Sequence, residues 1–221
     1  MDLKVEDLAE LLNISEKTVH RWLSENKIPF YRHHQEYRFS RPEIEDWLLK
    51  EKLDYAAPLQ PGKGSLQFSL YRALFRGDVL DHIEGETKEV LIQNAMNHMG
   101  KKFDLDPAVL TELLLDRENR MATALNEGIG IPHTRDFLLD THFDVVLVLY
   151  PKKPIEYGAL DGKPVHTLFF LFANEDNNHL HLLAKIAHLS SQEANRNFLQ
   201  GRPSKELLLE KIKQWEAFLQ I

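Results

Sequence analysis

Between Leu53 and Ser65 the chain reads LDYAAPLQPGKGS, and within these 13 residues Pro58, Pro61, Gly62 and Gly64 interrupt both helical and alternating apolar spacing. Such a stretch reads as a linker. It splits the 221-residue chain into about 52 residues before it and about 155 after it, a small module attached to one full core. Of the 27 basic and 34 acidic side chains, 9 and 11 precede the break, one of each lies within it, and 17 and 22 follow it, so the two parts carry net −2 and −5. Neither part is basic, which argues against indiscriminate polyanion binding while leaving room for a local basic face. Cysteine is absent. Disulfides, cysteine-ligated zinc, iron–sulfur clusters and thiol nucleophiles are therefore excluded. No apolar run approaches the ~18 residues needed to span a bilayer. The opening MDLKVEDLAELL is charged and helical in pattern, unlike a signal peptide. The expected location is the cytoplasm, without direct membrane contact.

In the first part, Val5, Leu8, Leu11 and Leu12 keep helical spacing, and after Asn13 a second helix opens at Ile14-Ser15 and carries Val19, Trp22 and Leu23 inward. Ile28–Arg32 and Tyr37–Phe39 read as strands joined by His33-His34-Gln35-Glu36, a solvated turn. A third helix is expected from Ser40, with Glu43 completing a capping box and Ile44, Trp47 and Leu48 facing inward.

That order, carried by VEDLAELL, NISEKTVHRWL, the KIP entry to the hairpin, YRF and EIEDWL, resembles the small winged helix-turn-helix of excisionases and MerR-type regulators. The resemblance implies that the second helix enters a DNA groove and that the hairpin is the wing. Burial of Val19, Trp22 and Leu23 turns Lys17, Thr18, His20 and Arg21 outward, and Arg32 and Arg38 stand on the wing as phosphate contacts. A net charge of −2 is a poor match to DNA, so a protein-docking or dimerisation role stays open beside DNA binding.

Beyond the linker, residues 67–76, 87–100, 107–116, 178–191 and 204–219 read as helices, with Pro107 in a first turn. The apolar, β-branched and aromatic runs 143–150 and 165–172 read as strands buried on both faces. Helices alternating with such strands make this part α/β. Its most informative stretch is DRENRMATALNEGIGIPHTR, where Gly128 and Gly130 flank Ile129 and the chain turns at Pro132 into His133. Small residues there are expected to clear space before the imidazole. Arg117, Arg120 and the Thr123 hydroxyl stand nearby in sequence as donors to a phosphoryl group. Without cysteine, the imidazole nitrogen is the best nucleophile available. Spacing alone leaves a satisfied loop histidine and a reactive one on equal terms.

Residues 66–221 resemble the IIA domain of the fructose, mannitol and nitrogen-related branch of the bacterial phosphoenolpyruvate-dependent phosphotransferase system. The resemblance rests on Arg117-Glu118, Ala122-Thr123-Ala124 and the loop Gly128-Ile129-Gly130-Ile131-Pro132-His133. It implies a mixed sheet flanked by helices, His133 as the phosphorylated histidine, Arg117 as the active-site arginine and His179 as the second histidine. Thr123, Gly128 and Gly130 support the phosphoryl group. A helix turns about 100° per residue, which puts His179 and His181 on different faces and disfavours a metal pair. His181, Lys185 and His188 then form a solvated polar stripe. His179 sits in the first turn behind Asn177 or Asn178 as cap, where the helix dipole favours a neutral ring. Four positions depart from the pattern: Ala124 for glycine, Glu127 for asparagine, and Thr134-Arg135 for glycine and a basic residue. Glu127 would repel an anion unless it points outward or pairs with Arg120 or Arg135.

These readings give the domain order 1–52, linker 53–65 and 66–221. They describe a phosphoryl carrier in which His133 takes phosphate from a histidine phosphocarrier protein (HPr/NPr-like), with no cofactor and no metal, in a regulatory, nitrogen-type role. Possible partners beyond that donor are DNA and a regulatory target protein. Two alternatives stand beside this: a DNA-binding regulator whose IIA-like part is never phosphorylated, and a sugar-specific IIA subunit. The second fits less well, because the downstream IIB domain of this branch uses a cysteine and the chain has none.

Overall fold

The computed structural model describes residues 2–12, 14–33, 36–41, 43–44, 47, 69–134, 144–174 and 176–219. The linker 53–65 and positions 13, 34, 35, 48 and 135, on which some of the readings above rest, lie outside these.

The N-terminal unit contains β1 (Asp2–Leu3), α1 (Val5–Leu12), α2 (Glu16–Ser24), β2 (Tyr31–His33) and β3 (Glu36–Ser40), and residues 41, 43, 44 and 47 are helical. Helix α2 starts at Ser15 because its hydroxyl accepts the Thr18 N–H, a side-chain cap on an orphan donor. β3 is the middle strand, antiparallel to β1 on one side and to β2 on the other. The pairing with β1, Leu3 opposite Phe39, is not evident from two residues of sequence. The helical stripes named from spacing converge as expected: Leu8, Leu12, Val19, Phe39 and Ile44 are fully enclosed, and the Trp22 and Trp47 rings meet at 5.3 Å between centroids.

The C-terminal unit contains α3 (Ser69–Arg76), β4 (Asp78–Ile83), α4 (Lys88–Phe103), α5 (Pro107–Arg120), β5 (Ile129–Gly130), β6 (Val145–Pro151), β7 (Thr167–Phe172), α6 (Asp176–Ser191), α7 (Glu193–Gln200) and α8 (Lys205–Phe218). Its sheet runs β4-β6-β7-β5, with β4 parallel to β6, β6 antiparallel to β7 and β5 parallel to β7. The sheet is mixed, as the resemblance implied. Side chains alternate between its two faces. Val145, Leu147, Leu149, Leu168, Phe170 and Phe172 pack with residues of α4 and α5. Val146, Val148, Tyr150, Phe169 and Leu171 share the other cluster with α3, α6 and α8. β4, β5 and α7 were not expected from sequence.

The polar stripe on α6 is not solvated. His181, Lys185 and His188 are only 2%, 5% and 5% exposed. The cause is crowding: α6 packs against β7, α3, α7 and, from the N-terminal unit, α1. Burial of Lys185 is compensated by Glu216 of α8, whose carboxylate lies 2.5 Å from the ammonium. Glu216 also accepts the Leu70 and Tyr71 N–H groups at 3.1 and 3.0 Å, satisfying orphan donors at the start of α3. His188 lies against Trp215, ring centroids 5.5 Å apart. Thus two polar residues of one helix are matched by two consecutive residues of another, some thirty positions away.

Candidate functional site

The chain from Met121 to Thr134 is laid back on itself before it joins the sheet. Ala124 bridges Gly130, the Leu125 N–H donates to Ile129 O at 2.7 Å, and the Ile131 N–H donates to Thr123 O at 2.9 Å. The reversal passes through Glu127 and Gly128, both left-handed at φ 66° and 79°. Glu127 holds this conformation with its N–H on Asp161 Oδ2 at 2.6 Å. Its carboxylate pairs with Lys163 Nζ, a partner that sequence reasoning had sought in Arg120 or Arg135.

The glycines do clear space, but for His166 and for Leu168 of β7 and not for the imidazole. A Cβ on Gly128 would lie 2.4 Å from the His166 ring, and one on Gly130 would lie 2.6 Å from Leu168 Cδ2. The Gly128 carbonyl takes the N–H groups of His166 and Thr167, and Leu171 N–H donates to Pro132 O at 3.0 Å. The loop is thereby fastened along the edge of β7, with His133 opposite Leu171.

His133 is buried, and its Nδ1 lies 2.7 Å from the Ile131 carbonyl. A carbonyl oxygen only accepts, so Nδ1 carries a proton, and in the neutral ring the lone pair is then on Nε2. The His179 ring approaches edge-on, 5.2 Å between centroids at 62°. His179 is the fourth residue of α6, in its first turn. The cap is neither Asn177 nor Asn178, because the helix already begins at Asp176; Asn178 Nδ2 instead donates to Asn174 Oδ1 at 2.9 Å. The two rings are 0% and 3% exposed, and both Nε2 atoms are closed to solvent.

Arg117 stands half-buried in the last turn of α5, Nη1 donating to the Met121 carbonyl at 3.1 Å. The Thr123 hydroxyl is committed to the buried Glu118, donating to Oε2 at 2.6 Å, while its N–H reaches the same carboxylate at 3.2 Å. Lys88 Nζ lies 3.5 Å from the other oxygen. Burial pushes the Glu118 carboxyl above its usual range, opposed by Thr123 and Lys88. Sequence reading gave Glu118 a place in a motif and no task. Among the described residues no group of His, Asp and Glu is arranged to hold a metal ion, and no helix is long and apolar enough to cross a membrane.

On the N-terminal unit, Lys17, His20 and Arg21 are exposed on one side of α2. Thr18 is not: it is half-buried, with its hydroxyl 2.9 Å from that of Ser15 in the helix cap. On the wing, Arg32 lies over Tyr37, 5.2 Å from the ring centroid, and Arg38 is paired with Glu36 at 2.7 Å.

Residues 74–215 match the family described as "Phosphoenolpyruvate-dependent sugar phosphotransferase system, EIIA 2", and residues 3–52 match "Helix-turn-helix domain". The chain is 31% identical over 142 residues to the nitrogen regulatory protein of Pseudomonas aeruginosa, covering 63% of this chain and 91% of that one. It is 29% identical over 136 residues to the fructose-specific EIIABC component of Bacillus subtilis, covering 60% of this chain and 21% of that protein. Among solved structures, the nitrogen regulatory protein IIA-Ntr from Neisseria meningitidis aligns with a TM-score of 0.56 at 29% identity, over 62% of this chain and 93% of that one.

Proposed function

Because the chain belongs to the EIIA 2 family of the phosphoenolpyruvate-dependent sugar phosphotransferase system, we propose that it is a cytoplasmic histidine phosphoryl carrier in a regulatory, nitrogen-type role. The observation that carries this reading is the Nδ1 bond of His133 to Ile131 O, beside the His179 ring. The bond leaves the Nε2 lone pair to attack phosphorus. The donor is the phosphohistidine of a phosphocarrier protein; its P–N bond breaks as the new one forms, and its imidazole, protonated on the other nitrogen, departs as the neutral ring with the electron pair. The His133 proton stays on Nδ1, donated to the Ile131 carbonyl. Arg117 supplies positive charge and His179 an N–H to the phosphoryl oxygens, the two things phosphoryl transfer asks of a protein besides in-line placement. Since both rings are closed off, transfer requires the site to open to the donor protein.

Residues 1–52 act in this scheme as a helix-turn-helix unit that reads DNA through Lys17, His20 and Arg21, and residues 66–221 as the carrier. The exposure of those three side chains on α2 supports that role. Helix α6 links the two units, because it carries His179 in its first turn and lies against α1. Phosphate at His133 adds negative charge at the end of the helix on which the N-terminal unit rests, which is a route to regulation.

The test is incubation with phosphoenolpyruvate, enzyme I and the phosphocarrier, followed by intact-mass analysis. One acid-labile phosphoryl group is expected on the wild type and none on His133→Ala. A wild type that stays unmodified while the carrier is charged would leave the DNA-binding reading alone.

A further inference from the structure

Behind the loop that presents His133 lies a buried polar cluster that the transfer step itself does not use. Glu118 is 2% exposed, and its carboxylate is met by donors: the Thr123 N–H, the Thr123 hydroxyl and the Lys88 ammonium, with the buried Tyr157 hydroxyl beside it. A carboxylate only accepts, so its oxygens suit this set, whereas an amide of the same shape would turn an NH2 toward Thr123 or Lys88. From Glu118 the bonds continue toward the site. Thr123 O accepts the Ile131 N–H at 2.9 Å, and Ile131 O accepts His133 Nδ1–H at 2.7 Å. Each link fixes the peptide on which the next depends. Thr123 is held to Glu118 by its backbone N–H and its hydroxyl both, and the Ile131 carbonyl is aimed by the same strand pairing that Thr123 anchors.

We propose that Glu118 is a positioning residue for phosphoryl transfer, acting through Thr123 and Ile131 to keep the proton of His133 on Nδ1 and the lone pair on Nε2. This rests on the carrier function proposed above for its consequence, but the tautomer itself can be read without any phosphoryl donor. Removing the carboxylate relaxes the loop, and the His133 ring then samples the other tautomer, in which Nε2 is protonated and cannot attack.

The experiment uses the full chain labelled with 15N-histidine. Long-range 1H–15N spectra report the tautomer of each ring, and the His133 signals are those missing in His133→Ala. Wild type is expected to show Nδ1–H predominating at His133. Glu118→Gln, which keeps the volume, is expected to raise the Nε2–H fraction severalfold and to slow phosphoryl uptake by about ten- to a hundredfold, the scale of a misplaced reacting group. Thr123→Val, which removes the hydroxyl and keeps the N–H bond, should shift the ratio the same way by less, and serves if Glu118→Gln does not fold. A wild-type tautomer ratio in both folded variants, or in Thr123→Val alone where Glu118→Gln does not fold, overturns the positioning role. A wild type that shows the expected tautomer and its response to Glu118→Gln yet takes up no phosphate overturns the carrier function and leaves the positioning of the imidazole standing.

Discussion

The imidazoles of His133 and His179 meet edge to face at 5.2 Å although 46 positions separate them, one coming from a loop fastened to β7 and one from the first turn of α6. If His179 donates to the phosphoryl group as it transfers, His179→Ala slows uptake on His133 by about a hundredfold, typical for loss of one positioned donor. His179→Gln, which keeps an N–H, retains part of the rate. Quench-flow phosphorylation of the two variants separates a donor from a packing residue.

The backbone reversal before His133 depends on Gly128. Alanine there meets both a left-handed φ of 79° and a Cβ only 2.4 Å from the His166 ring. The expected cost is about 1–3 kcal/mol from strain alone, read as a lower urea midpoint with an unchanged m-value. Displacement of the loop should also weaken phosphoryl uptake.

A second stability prediction concerns the enclosed ion pair. Lys185→Met leaves the Glu216 carboxylate buried with only the two N–H groups of α3, and breaking such a pair costs about 3–5 kcal/mol. The double variant Lys185→Met/Glu216→Gln is expected to recover much of that loss, since the remaining amide oxygen still accepts from Leu70 or Tyr71. Equal stability of single and double variants in urea titrations would contradict this.

Glu118 gives a pH signature. Burial raises its folded carboxyl above the ordinary 4.5, so in the window from 4.5 upward to the raised value the folded chain holds more protons than the unfolded one. Its contribution is therefore full below 4.5 and is lost as pH rises through the folded value. Relative to Glu118→Gln, which does not titrate, the wild type should gain stability as pH falls toward 4.5. Urea unfolding of both proteins across that range checks the sign.

Much of this was legible in the chain. The apolar runs of β6 and β7, buried on both faces, the helical stripes of α1 and α2, and the closing helix α8 lie where the sequence puts them. β4 was hidden because Asp78, Asp81 and His82 break any apolar alternation in an edge strand. β5 was hidden because it is two residues long. The stripe His181, Lys185, His188 looks solvated in sequence because nothing local compensates it; Glu216 and Trp215, which do, are distant along the chain. For the site, the motif pointed to His133 and His179, and their meeting is seen in the fold. The contacts of the glycines and of Thr123 were hidden for one reason: they are made with His166, Leu168 and Glu118, partners that spacing within the loop does not reveal.

On the N-terminal unit, duplex DNA binding should weaken steeply with salt. Lys17→Ala and Arg21→Ala should each lower the slope of log affinity against log salt by about 1. Ser15→Ala, which removes the cap of α2, should cost about 1 kcal/mol of stability through the helix. Fluorescence anisotropy at several salt concentrations distinguishes the two kinds of change.

Whether His133 carries a phosphoryl group is decided by intact-mass analysis after charging with phosphoenolpyruvate, enzyme I and the phosphocarrier. One acid-labile phosphoryl group is expected on the wild type and none on His133→Ala. Phosphorylation that survives in His133→Ala, or a wild type left unmodified beside a fully charged carrier, would contradict that role.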